Sequence, residues 1–509
     1  MRTRRPVRLA SNGAGRNVAL MASGLAWAMI PFSAVFAQRI ETSPVVPAPA
    51  AVSPPSRPVP VGSPVPLSLV EAVALGLREN RDIRSAYLTR ISQKFDLFVA
   101  RGSFRPRIAI AGSFFGQSAD GRIAADATVT PSLRLRTTSG ATIDFVWDRR
   151  ERLRPGPRVA ADTTALTISQ PLLRGGGFDV NLSPLRVARL QEQINQLNLK
   201  STVSNIVATI ITGYRDLVQA QEQVRLAEIS LERTRALLDT NHALIKAGRM
   251  AAADIVQTES QVANQEVALL QAQQQKITAQ LVLIRLLAVD SRTNIVAADE
   301  IRAEHVPIDL ARVVDLGLAS RMDVLAQRKA LEISRQSLII ARNDRLWDLR
   351  VTGAISHERG HDALVGSAGS STNKSIGVQL GIPILGDYSG RQGEIQATTS
   401  LRTAEIAYDG LLQSVELQIR DAVQVVETGW LQLEAARRAR ALAARALDLQ
   451  QEKLKAGRAS NFEVLSFQAD LRSADTQQLA AEIAYLNALT GLDQQIGNTL
   501  DTWRISLND

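Results

Sequence analysis

Apolar residues along much of the chain recur every three or four positions, as on one face of an α-helix. The longest such tract contains no proline between Pro184 and Pro307. Its first part, from Pro184 to Ala247, would extend about 95 Å at ~1.5 Å per residue. Gly248 is the only plausible break in this tract, and Gly457 is its equivalent in a second long tract. Glycine after a lysine is typical of a helix C-terminus, so the pattern predicts two long helical hairpins.

Other segments alternate apolar and polar residues with the period of two that indicates a β-strand. The clearest are RIAIAGSFFGQ, TTALTISQPLL, LRVTGAIS and SIGVQLGIPIL. Each has about 8–11 residues, the length of a strand that crosses a membrane. A predicted amphipathic helix precedes each β-rich region, from Leu67 to about Phe104 and from Ile308 to about Leu346. Each half of the chain is therefore predicted as a helix, a β-hairpin and a long helical hairpin.

An internal repeat accounts for this shared order. The sequence from Leu67 to Gly112 matches the sequence from Ile308 to Gly353 without a gap, including a Leu-Gly-Leu in both copies. The turn sequences KAGRMAAADIVQ and KAGRASNFEVLS also match. The first half carries about 29 additional residues, all within 113–170. The predicted repeats are residues 67–307 and 308–509.

The N-terminus has the composition of an export signal. Basic residues without any acid precede an apolar stretch, and Val35-Phe36-Ala37 offers a cleavage site before Gln38. We predict residues 1–37 as a signal peptide, with an N-terminal membrane anchor as the alternative. The proline-rich residues 38–66 are predicted to form an extended periplasmic tether. Removal of residues 1–37 takes away five arginines and no acid, which lowers the net charge from +9 to +4.

The composition excludes several classes of protein. The chain has no cysteine, which excludes disulfides, thiolate metal sites, cysteine nucleophiles and a lipid anchor on an N-terminal cysteine. No segment after the signal reaches the ~18 apolar residues of a spanning helix. No basic patch is interleaved with aromatic residues, so no nucleic-acid partner is expected. A periplasmic protein or an outer-membrane β-barrel remains.

The predicted elements require several copies of the chain. Four strands cannot close a barrel, and an open sheet edge in lipid would leave backbone groups without partners. Long amphipathic hairpins must also bury their apolar faces against neighbours. The additional residues contain PSLRLRTTSGATIDFVWDRR, which predicts a further hairpin around Ser139-Gly140. This hairpin would either lengthen surface loops or add strands to the barrel, giving six per chain.

From Leu67 to about Leu492 the chain resembles the TolC-type outer-membrane efflux protein family. The two Leu-Gly-Leu starts, the strand pairs and the glycine-centred turns, in duplicated order, carry the resemblance. It implies an α+β membrane protein that forms a homotrimer. A 12-stranded barrel in the outer membrane of a Gram-negative bacterium, four strands per subunit, would continue as a long periplasmic α-helical barrel.

The resemblance also implies the partners and the function. An inner-membrane pump and a periplasmic adaptor protein would deliver substrate to the channel, which contacts outer-membrane lipid. Neither a cofactor nor an enzymatic activity is implied. In the family, a glycine in each hairpin turn contacts the adaptor. The residues implied here are Lys246, Gly248, Arg249, Lys455, Gly457 and Arg458.

Acidic residues at the pore entrance follow from the same resemblance. Six residues after the second turn glycine, the family has an acid that points into the pore, which here is Glu463. Nine residues after it, the best-known members have a second acid, but this chain has Ser466. Three carboxylates around a threefold axis would favour cations. The alternative is that Glu463 is an exposed helix residue without a role in a pore.

A third acid is implied to hold the entrance closed. Asp254 lies six residues after the first turn glycine, at the position of that acid. Its family partners, a tyrosine and an arginine, are replaced by Leu454 and Ala459, with Arg458 one step away. The closed entrance is therefore expected to be held in a different way here.

Two short motifs suggest other chemistry. HERGH, residues 357–361, fits the zinc-protease signature H-E-x-x-H, which requires a helix. Gly360 and strand-like flanks disfavour a helix, so we predict a polar surface loop between the strands of the second hairpin. The three glycines after Arg174 lack the Lys-Ser/Thr of a phosphate loop and fit a bend from strand to helix. A trimeric coiled-coil surface protein without transport, and more remotely a zinc metallopeptidase, remain the alternatives to an export channel.

Overall fold

The computed structural model describes residues 64–507 except for 120–121, 154–158, 363–366 and 386–387. The predicted signal peptide lies outside the described residues, as does the predicted tether up to residue 63. The first half contains β1 (Val65–Leu67), α1 (Leu69–Glu79), α2 (Arg81–Gly102), β2 (Arg107–Ala119), β3 (Arg122–Arg136), β4 (Thr142–Leu153), β5 (Val159–Pro171), α3 (Phe178–Lys246), a 3-10 turn (Ala252–Asp254), α4 (Ile255–Leu287) and β6 (Ile295–Ala297). The second half contains α5 (Leu310–Ser320), α6 (Met322–Asp344), β7 (Asp348–Asp362), β8 (Ser367–Gly381), α7 (Ser389–Lys455), α8 (Asn461–Ile496) and α9 (Thr499–Thr502).

Two helices of unusual length dominate the chain, as the apolar period predicts. Helix α3 has 69 residues and α7 has 67, so each extends about 100 Å at ~1.5 Å per residue. Helix α3 begins at Phe178, six residues before the predicted start at Pro184. Pro184 therefore lies inside the helix, where it cannot donate to the Val180 carbonyl and its ring crowds that carbonyl. Among the described residues, no helix combines the length and the apolarity needed to cross a membrane.

Each half begins with two helices, so the prediction of one continuous helix is wrong. The breaks fall at Asn80 and Arg321, which are equivalent positions of the repeat. Both residues leave the helical backbone, with ψ of 129° and 126°. The Asn80 side chain accepts hydrogen bonds from the N–H groups of Asp82 and Ile83. Such an N-cap starts a new helix, which the apolar pattern alone does not reveal.

The repeated Leu-Gly-Leu places a glycine where a short helix crosses a long one. A Cβ at Gly76 in α1 would overlap Ile210 Cδ1 in α3, and a Cβ at Gly317 in α5 would overlap Ile419 Cδ1 in α7. Both isoleucines are fully buried. The glycine in each repeat therefore permits the close approach of two helices. Around these crossings each half has its own apolar core, one including Val207 and the other Val415.

Replacing Gly317 by valine is expected to lower the free energy of unfolding by about 1–3 kcal/mol, the usual cost of overpacking a core. The added side chain must displace Ile419 and approaches the backbone of Ile496. Thermal or denaturant unfolding measures the change. Gly491→Val is the matched control, because Gly491 also lies within a helix but has open space where a Cβ would be added. Equal destabilisation by both variants would contradict the close-packing explanation.

Six antiparallel strands form one sheet in the order β2-β3-β4-β5-β7-β8. The resemblance implies four strands per chain, but the additional residues of the first half form the complete hairpin β3–β4 between β2 and β5. The alternative in which they only lengthen surface loops does not hold. Separately, β1 and β6 pair in parallel beside the long helices.

HERGH lies within strand β7, so the prediction of a loop between two strands is wrong. Residues 357–361 pair with residues 160–164 of β5 and 368–372 of β8. In a strand, positions 357 and 361 are about 13 Å apart at ~3.3 Å per residue, whereas the protease motif needs them one helical turn apart. Within the described ranges, no three His, Asp or Glu residues are placed to hold a metal ion.

The three glycines after Arg174 form the turn from β5 into α3, as predicted for a bend from strand to helix. Gly175 and Gly177 have φ of +79° and +97°, a region that glycine enters without strain. A Cβ at Gly176 would lie 2.7 Å from the carbonyl oxygen of Pro171. Backbone geometry thus explains all three glycines without a ligand.

Candidate functional site

The two long hairpins turn at Gly248 and Gly457, as predicted. Both glycines adopt the left-handed conformation, with φ of +66° and +71°. At the first turn, the N–H groups of Gly248 and Arg249 donate to the carbonyls of Ile245 and Leu244 at 2.9 Å each. The second turn repeats this pattern. Paired bonds of this kind define the Schellman helix ending, so the local sequence fixes the shape of both tips.

The tips of the two hairpins touch within one chain. Arg249 Nη2 lies 3.4 Å from the carbonyl oxygen of Lys455, and a Cβ at Gly457 would lie 3.3 Å from the same nitrogen. The structure therefore brings together the six residues that the resemblance implies for adaptor contact. The four basic members of this group are all exposed: Lys246, Arg249, Lys455 and Arg458. Cations at the C-terminal ends of α3 and α7 also complement the helix dipoles.

Glu463 has a local structural role at the start of α8. Its carboxylate accepts hydrogen bonds from the N–H of Ser460 and from Gln450 Nε2, both at 2.9 Å. The Ser460 hydroxyl accepts in return from the Glu463 N–H, which completes a capping box. The residue is exposed. Helix capping accounts for a glutamate here without a pore, and its role at a pore entrance stays a prediction.

The other two predicted entrance residues are also exposed. Asp254 ends the 3-10 turn before α4 and makes no side-chain hydrogen bond in the described part of the chain. Ser466 lies on α8, less than one turn after Glu463. No contact joins Asp254 to Leu454 or Ala459 among the described hydrogen bonds and ion pairs. Leu454 instead packs in an apolar cluster with Leu237 and Val464, and Asp254's part in closing the entrance stays a prediction.

A buried polar cluster joins the two hairpins just above their tips. Asn241 Nδ2 lies 2.8 Å from Thr258 Oγ1 and 2.9 Å from Asn461 Oδ1. Asn461 Nδ2 lies 2.8 Å from the same threonine oxygen. All three side chains are buried, and they belong to α3, α4 and α8. Breaking buried hydrogen bonds costs free energy, so this cluster holds the two hairpins together. Asp254 makes no such bond between them in the described part of the chain.

The sequence alone does not identify this cluster, although the repeat contains a signal. Asn241 and Gln450 are equivalent positions, as are Asp254 and Glu463. In the second half, Gln450 bonds Glu463 within one hairpin. In the first half the shorter Asn241 bonds across to Asn461 of the other hairpin. The replacement of the longer Gln450 by the shorter Asn241 at the equivalent position is the sequence signal of this asymmetry. Only the structure shows that the partner of Asn241 is Asn461.

Further polar bridges join the hairpins along their length. Arg215 of α3 donates from Nη1 to the carbonyl of Leu486 at 2.6 Å and to Thr490 Oγ1 at 2.7 Å on α8. Burial lowers the pKa of Arg215 to about 10, still well above neutral pH. Asp475 of α8 is buried, and it lies 4.0 Å from Arg233 of α3 as well as 2.8 Å from Arg440 in its own hairpin. These bridges tie the two halves of the subunit into one unit.

The fold is that of known outer-membrane channels. The Campylobacter jejuni CmeC outer membrane channel aligns with a TM-score of 0.64 at 16% identity, covering 85% of this chain and 86% of that one. The open-state Neisseria gonorrhoeae MtrE outer membrane channel aligns with a TM-score of 0.62 at 17% identity, covering 85% and 89%. At these identities the likeness shows the α+β fold alone.

The profile of the outer membrane efflux protein family matches residues 75–289 and 313–498. The chain therefore belongs to the outer membrane efflux protein family. The outer membrane efflux protein BepC of Brucella suis biovar 1 (strain 1330) is 25% identical over 333 residues, which are 63% of this chain and 68% of that protein. The predicted family and the predicted outer-membrane location are thus confirmed.

Proposed function

We propose that three copies of the chain form a closed ring that conducts substrate across the outer membrane. The sheets would form the pore in the membrane, and the long helices would form a tunnel in the periplasm. An inner-membrane pump and a periplasmic adaptor would deliver the substrate to the helical tips. The observation that carries this proposal is that the described part of each copy has two different flanks, one on either side, without a packing partner.

The first flank consists of β2, α2 and α4, and the second consists of β8 and α7. In the described residues, β2 and β8 are the two edges of the sheet. Near the sheet the helices pack in the order α2-α3-α6-α7, and towards the tips they pack in the order α4-α3-α8-α7. Unlike flanks at opposite sides of one subunit support a head-to-tail contact, which closes into a ring when the rotation permits.

Exposed apolar residues occupy both flanks. On α2 a stripe at helical spacing comprises Leu88, Ile91, Phe95 and Phe98, of which Phe95 is 61% exposed. On α7, the residues from Ile395 to Ala407 line a shallow groove of about 520 Å³ with small side chains such as Thr399 and Ala404. Aromatic residues opposite small ones are suited to interlocking helices. Both segments lie in the parts of their helices nearest the sheet.

The tip favours an acidic partner surface. Lys246, Arg249, Lys455 and Arg458 project from the two turns into solvent, and attraction between opposite charges both steers and orients protein association. We propose that an adaptor binds this surface with acidic residues. The substrate itself is not specified by any feature of the tip.

Replacing Glu463 by glutamine is expected to lower the preference of the pore for cations. Single-channel recording in a planar bilayer measures the ratio of cation to anion permeability, which a ring of carboxylates raises. Glutamine removes the charge but can keep the capping box and the contact with Gln450. Ser460→Ala is the control, because it removes the cap at a cost of about 1 kcal/mol and leaves the charge.

The same recording tests the proposed function as a whole. Cation-selective currents that weaken only in Glu463→Gln support both the pore and the entrance ring. If Glu463→Gln does not change the ion selectivity of the currents, the proposed pore is still supported, but the proposed role of Glu463 is contradicted. A trimeric, membrane-inserted protein that conducts no current, even after the buried cluster of Asn241, Thr258 and Asn461 is broken by Asn241→Ala, would instead support a structural protein without transport.

A further inference from the structure

The hairpin β3–β4 is hydrogen-bonded along its length to the strands on both sides. Its β3 pairs with β2 from Arg122–Ala119 to Arg134–Arg107, and its β4 pairs with β5 from Thr142–Ser169 to Glu151–Ala160. A loop that merely covered the outer surface would not need continuous ladders with two neighbours. The hairpin therefore occupies the middle of the sheet and separates β2 from β5.

The two inserted strands share the apolar face of their neighbours. One row of paired residues runs through Ile108, Leu133, Phe145, Leu166 and Ile355 on five successive strands. Because side chains alternate between faces, the next row belongs to the opposite face, and there Arg134 pairs with Asp144. Apolar residues on one face and polar residues on the other are the pattern of strands between lipid and a water-filled lumen.

The turn of the hairpin is fixed to the start of the long helix α3. The Gly177 N–H donates to the carbonyl of Ser139 at 3.1 Å, and Arg136 Nη2 donates to Asn181 Oδ1 at 2.8 Å. Gly140 has φ of +97°, and a Cβ there would lie 2.6 Å from Asn181 Nδ2. Asn181 is 1% exposed. This packing holds the inserted hairpin alongside the strands that both halves of the chain share, which are β2, β5, β7 and β8.

The apolar band also indicates how the strands tilt. On β2 the exposed apolar residues are centred near Ile110. This position is two residues further from the helices than Ile108, which lies in the row described above. On β8 the exposed apolar residues are centred near Val378. This position is four residues closer to the helices than Lys374, which lies in the same row as Ile108. The band shifts by about 20 Å along the strands over five spacings of ~4.8 Å. This corresponds to a tilt of about 40°, within the range of membrane barrels.

With this tilt, six strands span the same width as the helices of the subunit. Six spacings of ~4.8 Å at a tilt of ~40° cover about 38 Å of circumference. Four helices at ~8–10 Å spacing cover about 32–40 Å. Four strands would cover only about 25 Å at the same tilt. The inserted hairpin thus matches the width of the sheet to that of the helical part.

We infer that β3–β4 forms part of the membrane wall, so that a trimer holds eighteen strands and its bore does not narrow at the membrane. This inference rests on the proposed function, since it requires a membrane-inserted ring of three copies. The inserted strands face lipid with Phe145 and face the lumen with Asp144. The second copy of the chain pairs its β8 with β2 of the first.

Single cysteines test this placement, because the chain has none of its own. Phe145→Cys and Asp144→Cys report on the inserted hairpin, while Ile355→Cys and Ala354→Cys report on β7. Each residue of one pair lies in the same row as its counterpart in the other, with Leu166 or Thr167 between them. Each variant is labelled with a fluorophore and reconstituted into vesicles with bromine-labelled lipid or with aqueous iodide.

The expected result is that bromolipid quenches the label at Phe145 as strongly as the label at Ile355, and about fivefold more than the label at Asp144. A label at Phe145 that responds only to iodide, with normal lipid quenching at Ile355, would overturn the inference and leave the proposed function intact. Absence of lipid quenching at both Phe145 and Ile355 would show that the sheet is not in the membrane, and both proposals would fall.

Discussion

Replacing Asn241 by alanine is expected to raise the open fraction of the pore about tenfold. The variant removes the bonds from Asn241 to Thr258 and Asn461, which join the two hairpins beside their tips. Breaking buried hydrogen bonds costs about 1–3 kcal/mol, and each ~1.4 kcal/mol changes an equilibrium tenfold. In the proposed channel, opening separates the hairpins, so the loss weakens only the closed state. Single-channel recording and passage of a fluorescent solute into vesicles measure the change.

Gln450→Ala is the matched control for this prediction. Gln450 is the repeat counterpart of Asn241, but its bond to Glu463 lies within one hairpin. Its loss is therefore expected to leave the open fraction unchanged. Thr258→Val keeps the shape of the cluster and removes the shared hydroxyl, so it is expected to act like Asn241→Ala. Similar open fractions in Asn241→Ala, Gln450→Ala and the unmodified protein would contradict a role of the cluster in closing the entrance.

Replacing Phe95 by glutamate is expected to prevent assembly of the ring. Phe95 lies in the apolar stripe of α2, on the flank that we propose to pack against α7 of the next copy. An unpaired carboxylate buried at that contact costs several kcal/mol, and a trimer contains the contact three times. Light scattering or native mass spectrometry in detergent is expected to show single subunits in place of trimers.

The control for this variant adds the same charge at a different place. Gln193 is exposed on α3, which packs between neighbours on both sides within one subunit. Gln193→Glu is therefore expected to assemble normally, and far-ultraviolet circular dichroism checks that both variants remain helical. Normal trimers of Phe95→Glu would contradict the proposed contact between α2 and α7.

The long-range order of the fold is predictable because it rests on strong periodicity and on the repeat. Helical hairpins around Gly248 and Gly457 follow from apolar spacing and from the glycine after each lysine. The breaks at Asn80 and Arg321 escape prediction because each depends on the backbone conformation of a single residue, which the apolar pattern does not record. A side-chain cap stabilises this conformation at Asn80. The position of HERGH is mispredicted because polar residues on a strand near its outer end resemble a loop in sequence.

The candidate site is predictable only in part. The turn residues follow from local sequence, and the structure brings them together at one end of the subunit. The cluster of Asn241, Thr258 and Asn461 depends on contacts between residues 17 to 220 positions apart, and periodicity contains no information about such pairs. The roles of Glu463, Asp254 and Ser466 in a pore depend on neighbouring copies, so neither the sequence nor one subunit can establish them.

The two open edges of the sheet have a consequence for the biogenesis of the channel. Strands β2 and β8 have 13 and 15 residues, and each presents a row of backbone groups to be paired. In the proposed channel, lipid offers these edges no hydrogen bonds, so a single subunit would have no stable inserted form. Insertion and association must then be one concerted event, whose yield rises steeply with the number of subunits that arrive together. Cells that make too little of the chain are expected to accumulate periplasmic subunits for degradation rather than smaller pores.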